Sequence, residues 1–102
     1  MTHVRTVYLK LRLRSNAGYM VECVHRGEKA LMSGANAQAE SYAKSYQRAE
    51  GRLRDISKLL SATLDSNSYE KAIKSLVRFL GKNNDAETAS RAIRMVEDLL
   101  RG

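Results

Sequence analysis

The side chains best suited to chemistry in this sequence are one cysteine and two histidines, Cys23, His3 and His25. Cys23 and His25 stand two residues apart, a spacing that puts both side chains on one face of a β-strand. A structural zinc site takes about four Cys or His ligands, and this chain cannot supply them. A nucleophilic Cys–His pair would lack a third group to orient it. We therefore predict no metal site, no cofactor and only structural roles for these residues.

The carboxylates offer no acid–base pair. Five of them fall where an amphipathic helix would place its solvated face, namely Glu40, Glu50, Asp55, Glu97 and Asp98. No glycine-rich phosphate loop occurs either. The sequence predicts a protein that is not an enzyme.

Positive charge is the feature that points to a function. The 102 residues include 18 Lys and Arg against 11 Asp and Glu, which gives a net charge of +7 and a pI near 9.9. Residues 1–35 hold six basic and two acidic groups, so the excess lies toward the N-terminal half. Such a balance attracts polyanions over long distances.

Three sets of basic residues could form a binding surface. Tyr8–Arg14 alternates strictly between apolar and basic positions, which is the period of a half-buried strand. Its outer face would carry Tyr8, Lys10, Arg12, Arg14 and, from the next strand, Arg26. There are also two helical stripes, each with a cation at almost every turn: Lys44, Arg48 and Arg52 on the first helix, and Lys71, Lys74, Arg78 and Lys82 on the second. The alternative is that the helical stripes are ordinary solvated faces and that the strand cations protect an edge from aggregation.

The expected fold is α+β within a single domain, residues 1–102. A hairpin over residues 5–26 would turn at Ser15–Gly18 and pair Arg12 with Glu22, and a third strand could cover residues 29–33. Three helices should follow at about 37–63, 68–80 and 85–101. Asn36 is expected to cap the first of them, and Asn67 with Glu70 resembles a capping box for the second.

The first predicted helix has an apolar seam with spacings of three and four residues, formed by Ala39, Tyr42, Tyr46, Ala49, Leu53, Ile56 and Leu60. This seam could cover the intramolecular core, or it could form a homodimer through Tyr42, Tyr46 and Leu53. Gly51 interrupts the helix at a cost of about 1 kcal/mol relative to alanine.

A short sheet followed by a helix that opens Asn-Ala-Gln-Ala-Glu is similar to the arm-type DNA-binding modules of phage integrases. The size and charge also resemble those of small phage and plasmid accessory proteins, including inhibitors of host nucleases and of bacterial immune complexes. These resemblances identify no family.

Two functions follow as hypotheses. The first is a basic protein that docks its strand face on nucleic acid, mainly through phosphates. The second is a phage- or plasmid-type inhibitor or adaptor that blocks an acidic or nucleic-acid-binding protein partner, such as a host defence or CRISPR complex. With one cysteine, no apolar run of transmembrane length and no signal-like N-terminus, we expect a cytoplasmic protein without membrane contact.

Overall fold

The first third of the chain contains a helical repeat that a count of apolar residues alone overlooks. Buried or half-buried positions recur there at alternating spacings of three and four, as in a helix that packs lengthwise on another helix. Polar and small residues fill several of these positions, which are Thr6, Leu9, Leu13, Asn16, Met20, Cys23, Gly27 and Ala30. The sequence is therefore as compatible with a long helix as with a hairpin.

The computed structural model describes residues 2–101, and the side chains of residues 4–100. It contains four helices, α1 (Thr2–Met32), α2 (Asn36–Thr63), α3 (Ser66–Lys82) and α4 (Ala86–Arg101). No residue in the described part of the chain lies in a β-strand. The predicted α+β fold, with its hairpin over 5–26 and third strand over 29–33, is therefore wrong, whereas the three predicted helical ranges lie within two residues of α2, α3 and α4.

The supposed hairpin turn lies inside α1. Ser15–Gly18 is helical, and the glycine with a positive φ is Gly34, at 80°, in the connection between α1 and α2. Along a helix Cys23 and His25 diverge, so that the thiol is buried and the imidazole exposed. The side chain of His3 is outside the described side chains. The sheet on which the similarity to integrase arm modules depended is absent from residues 2–101.

Helices α1 and α2 form a long antiparallel hairpin, and the molecule is 48 Å along its longest axis. Near the turn, a Cβ added at Gly27 would lie 3.5 Å from the Cβ of Tyr42. Near the middle, the buried Asn16 accepts a hydrogen bond from Arg52 Nε at 2.9 Å and donates one to the Arg12 carbonyl at 2.8 Å. The one amide in the hydrophobic seam of α1 is thus satisfied on both its oxygen and its nitrogen.

Helices α3 and α4 close the hydrophobic core over this hairpin. The largest fully buried side chains come from all four helices, namely Leu13, Met20, Leu53, Leu60, Ile73, Leu76, Leu80 and Val96. From Tyr46 to Leu60 the predicted seam of α2 packs in the core of the chain, and the Tyr46 hydroxyl lies 3.5 Å from Met95 Sδ. Burial raises the pKa of Tyr46 above its usual value. A homodimer through Tyr42, Tyr46 and Leu53 stays a prediction, although Leu53 is fully buried within one chain.

Aspartates cap the last two helices, so the predicted capping box of Asn67 and Glu70 at the start of α3 is wrong. Asp65 accepts a hydrogen bond from the Ser68 amide at 2.7 Å, and Asp85 accepts one from the Thr88 amide at 2.8 Å. Both bonds favour the charged carboxylate and lower its pKa. Helix α2 begins after Ala35 without a side-chain cap, so the predicted Asn36 cap is wrong.

Two glycines inside helices give direct tests of the fold, Gly18 of α1 and Gly51 of α2. A Cβ at Gly18 or Gly51 would meet no heavy atom within 4 Å. Glycine costs about 0.5–1 kcal/mol relative to alanine in a helix interior, so Gly18→Ala and Gly51→Ala should each raise the free energy of unfolding by about that amount. Chemical denaturation monitored by circular dichroism measures the change.

The matched control is Gly34→Ala, which should destabilise the chain because residue 34 has a φ of 80°. Destabilisation by Gly18→Ala would contradict the helical course of α1, since a left-handed turn residue at that position would respond as Gly34 does.

Candidate nucleic-acid interface

The helical course of α1 divides the basic residues that a strand would have placed on one face. Successive residues turn by about 100° on a helix, so Lys10 and Arg14 share one side and Tyr8 and Arg12 another. The predicted strand face of Tyr8, Lys10, Arg12, Arg14 and Arg26 is therefore wrong as a single surface. Each of the two pairs has its own surroundings.

Tyr8 and Arg12 form a local pair on the exposed side of α1. Arg12 Nη1 donates a hydrogen bond to the Tyr8 hydroxyl at 3.1 Å, and the guanidinium carbon lies 5.9 Å from the centre of the tyrosine ring. Both residues belong to one helix and are exposed, so the pair orients two side chains without joining α1 to another element.

Arg14 joins α1 to α3. Its Nη2 donates a hydrogen bond to Ser75 Oγ at 2.9 Å, and its guanidinium carbon lies 5.4 Å from the centre of the Phe79 ring. Ser75 and Phe79 were not recognised as site residues from the sequence, because neither is charged and both lie 61 or more positions away from Arg14. These contacts fix a partly exposed cation between two helices, and its guanidinium has further N–H donors besides the one bonded to Ser75.

The predicted stripe on α3 is present and faces solvent. Lys71, Lys74 and Arg78 are exposed, and Lys82 continues the row one turn later. Along 11 residues of helix these four cations extend about 16 Å. The residues that α3 buries, among them Ile73 and Leu76, occupy its opposite side.

Lys10 and Arg14 extend this stripe onto α1. The two helices run in the same direction, since Arg14 contacts Ser75 and Phe79 while Gly18 and Val21 line a cleft together with Phe79, Leu80 and Asn83. Lys10, one turn before Arg14, is therefore level with the first turns of α3. We call the resulting surface the α1–α3 basic face, made up of Lys10, Arg14, Lys71, Lys74, Arg78 and Lys82.

The charges are strongly segregated in the sequence that forms this region. Residues 1–21 and α3 together contain eight Lys and Arg but one acidic residue, Glu70. The remaining residues contain ten Lys and Arg and ten Asp and Glu. The whole net charge of +7 therefore belongs to two of the four helices, and the first acidic residue of the chain is Glu22.

The other predicted basic residues lie elsewhere and have polar partners. Arg26 pairs with Glu22 at 2.7 Å, and the Tyr42 hydroxyl followed by the Glu22 charge raises the pKa of Arg26. Lys44 lies 3.8 Å from Glu40.

Arg48 and Arg52, the last two of these predicted residues, also have partners within the chain. Arg48 Nη2 lies 3.5 Å from Ser45 Oγ, and Arg52 donates to Asn16. The structure does not bring the Lys44, Arg48 and Arg52 stripe together with the α1–α3 basic face.

The remaining polar regions combine both signs of charge. A cleft beside the α3–α4 connection includes Glu22, Arg26, Lys29 and Asp85. Glu28 and Arg91 join α1 to α4 at 2.6 Å, a bond that lowers the pKa of Glu28. Among the side chains that the structure describes, no three His, Cys, Asp or Glu residues are grouped as a metal site requires.

Comparison of the chain with protein-family models, with curated proteins and with solved structures finds no match. Within residues 2–101, no helix is long and apolar enough to cross a membrane.

Proposed function

We propose that this protein binds nucleic acid without catalysing a reaction, and that it holds the phosphate backbone on the α1–α3 basic face. The observation that supports this function is the charge segregation, because eight cations and one anion occur in residues 1–21 and α3 while the rest of the chain is neutral. A helical surface that is only solvated does not require such an excess of cations over anions. A concentrated field of one sign favours a polyanionic partner.

The spacing of the cations suits a row of phosphates. Neighbouring positions on one side of a helix are about 5–6 Å apart, so the row from Lys71 to Lys82 offers a point charge at nearly every turn. Lys10 and Arg14 widen the row into a two-helix surface. Lysine provides charge with little geometric demand, which favours contacts to phosphate over the reading of base edges.

The aromatic rings near this surface support phosphate contact rather than base stacking. Phe79 is half-buried and lies under the Arg14 guanidinium, and Tyr8 is paired with Arg12. A dedicated single-strand binder presents several open rings along its groove. We therefore propose weak dependence on base sequence.

The dependence of affinity on salt tests this function. A labelled DNA duplex should bind, and the logarithm of the association constant should fall linearly with the logarithm of the salt concentration, with a slope of about −4 to −5 for five phosphates neutralised. Affinity should decrease by about 10²–10³ between 50 and 200 mM salt. Fluorescence anisotropy with the duplex and with single-stranded DNA and RNA measures both values.

Duplexes of unrelated sequence serve as the control and should give affinities within about threefold of one another, because phosphate contacts do not report sequence. Absence of binding at 50 mM salt, or an affinity unaffected by salt, would contradict the proposal.

A further inference from the structure

The outer side of α1 exposes a short apolar stripe that no other helix covers within residues 4–100. Val4, Val7, Tyr8 and Leu11 are 70%, 42%, 55% and 57% exposed, and we call these four residues the α1 stripe. Their positions follow the i, i+3, i+4, i+7 pattern of one helical face. Leu9 and Leu13, on the opposite side of the same helix, are already buried in the core.

The stripe differs from the other exposed apolar side chains. Leu59 stands alone on α2, Leu31 and Met32 lie at the end of α1 beside its turn, and Tyr19 lies two turns beyond Leu11. Scattered exposed residues of this kind are normal on a protein surface. Four neighbouring ones on one helical face are the pattern by which a second amphipathic helix is recognised.

The charges beside the α1 stripe indicate which helix would fit. Arg5 and Arg12 lie along one edge of the stripe and Lys10 and Arg14 along the other, in positions equivalent to those that flank a coiled-coil seam. No acidic residue occurs before Glu22. A partner helix with apolar residues on one face and Glu or Asp at its edges would complement both the apolar stripe and the cations beside it.

The same charges disfavour a second copy of this chain. In a symmetric pair each stripe would meet the other, which would bring the cations of one α1 against those of its partner. Nucleic acid is also poorly suited to this side, because aliphatic side chains gain nothing from phosphates. We propose that the α1 stripe docks an acidic amphipathic helix of a partner protein.

This inference does not rest on the proposed nucleic-acid function, although Lys10 and Arg14 belong both to the α1–α3 basic face and to one edge of the α1 stripe. The apolar residues of the stripe take no part in the α1–α3 basic face, and the cations of α3 take no part in the stripe. Substituting the apolar residues should therefore weaken peptide binding alone, substituting the α3 cations should weaken nucleic-acid binding alone, and the two proposals can fail separately.

A designed helical peptide serves as the probe, with a leucine seam flanked by glutamates and a fluorescent label, used below the concentration at which it self-associates. It should bind this chain in fluorescence anisotropy. The same peptide with lysines in place of glutamates should bind at least about tenfold more weakly, because its charges repel those of α1. The Val7→Ser/Leu11→Ser variant should lose about tenfold or more in affinity for the glutamate peptide.

The matched control is Leu31→Ser/Leu59→Ser, which removes two exposed apolar residues of similar exposure outside the stripe and should leave peptide affinity unchanged. Circular dichroism should show the same helicity for both variants, and duplex DNA should bind both variants as it binds the original chain.

Three results would overturn the proposal. The first is equal affinity of the original chain and Val7→Ser/Leu11→Ser for the glutamate peptide, or no binding by either. The second is a dimer in analytical ultracentrifugation that this double variant abolishes. The third is binding to vesicles of phosphatidylserine and phosphatidylcholine that this variant abolishes, which would assign the stripe to a lipid surface.

Discussion

Leu13→Ala should lower the free energy of unfolding by about 2–5 kcal/mol, whereas Leu11→Ala should change it by less than about 0.5 kcal/mol. The two leucines are separated by one residue and are chemically identical. Leu13 is 1% exposed and belongs to the central core cluster, while Leu11 is 57% exposed. Truncating Leu13 leaves a cavity between helices, and truncating Leu11 removes atoms that water already surrounds.

This pair distinguishes the helix from the alternating strand. On a strand, Leu11 and Leu13 would occupy the same buried face, and both substitutions would be costly. On α1 they are about 200° apart around the helix axis. Urea denaturation followed by circular dichroism at 222 nm gives both free energies.

Leu9→Ala provides a further comparison. Leu9 is buried one turn before Leu13, so its truncation should also destabilise the chain. Similar losses for Leu11→Ala and Leu13→Ala would show that α1 does not have the course described above.

Reversing the charge of Lys71, Lys74 and Arg78 together to glutamate should weaken nucleic-acid binding by about 10³-fold or more at 100 mM salt. The variant removes three phosphate contacts from the centre of the α1–α3 basic face and places three anions there. The salt slope should become shallower by about 3, because three fewer counterions are released. All three side chains are exposed on α3, so the helix content should be unchanged.

The control variant reverses Lys44, Arg48 and Lys58 on α2. It changes the net charge by the same amount but leaves the α1–α3 basic face intact, so it should lose less than about tenfold in affinity. Anisotropy titrations with one duplex at several salt concentrations compare the two variants. Equal losses would mean that overall charge, and not this surface, determines binding.

Three of the four helices could be predicted from the sequence because their periodicity is expressed in apolar residues. In α2 the positions from Ala39 to Leu60 repeat clearly, and α3 and α4 have short apolar faces of the same period. In α1 the seam passes through Thr6, Asn16 and Gly27, which a hydrophobic pattern does not count. The accidental alternation around Leu11 obscures this period, and Gly18 then resembles a turn residue.

The candidate site could be predicted to the extent that it depends on a single helix. The outward position of Lys71, Lys74 and Arg78 follows from the apolar face of α3 alone. Arg14 is a candidate from the sequence, but its position beside the α3 cations could not be predicted, because its neighbours Ser75 and Phe79 are distant in sequence and meet it only when α1 packs beside α3. The same packing separates Arg12 from Arg14, although the two are nearly adjacent in the chain.

The buried amide of Asn16 has a consequence for the alternative alignments of the α1–α2 hairpin. Two long helices with similar seams could slide past each other by one turn and still bury leucines against leucines. A slide of one turn in one direction would put Ile56 in the place of Arg52 and leave the Asn16 oxygen desolvated among apolar side chains, which costs about 1–3 kcal/mol. A slide in the other direction would put Arg48 there, so Asn16 disfavours one of the two alternative registers.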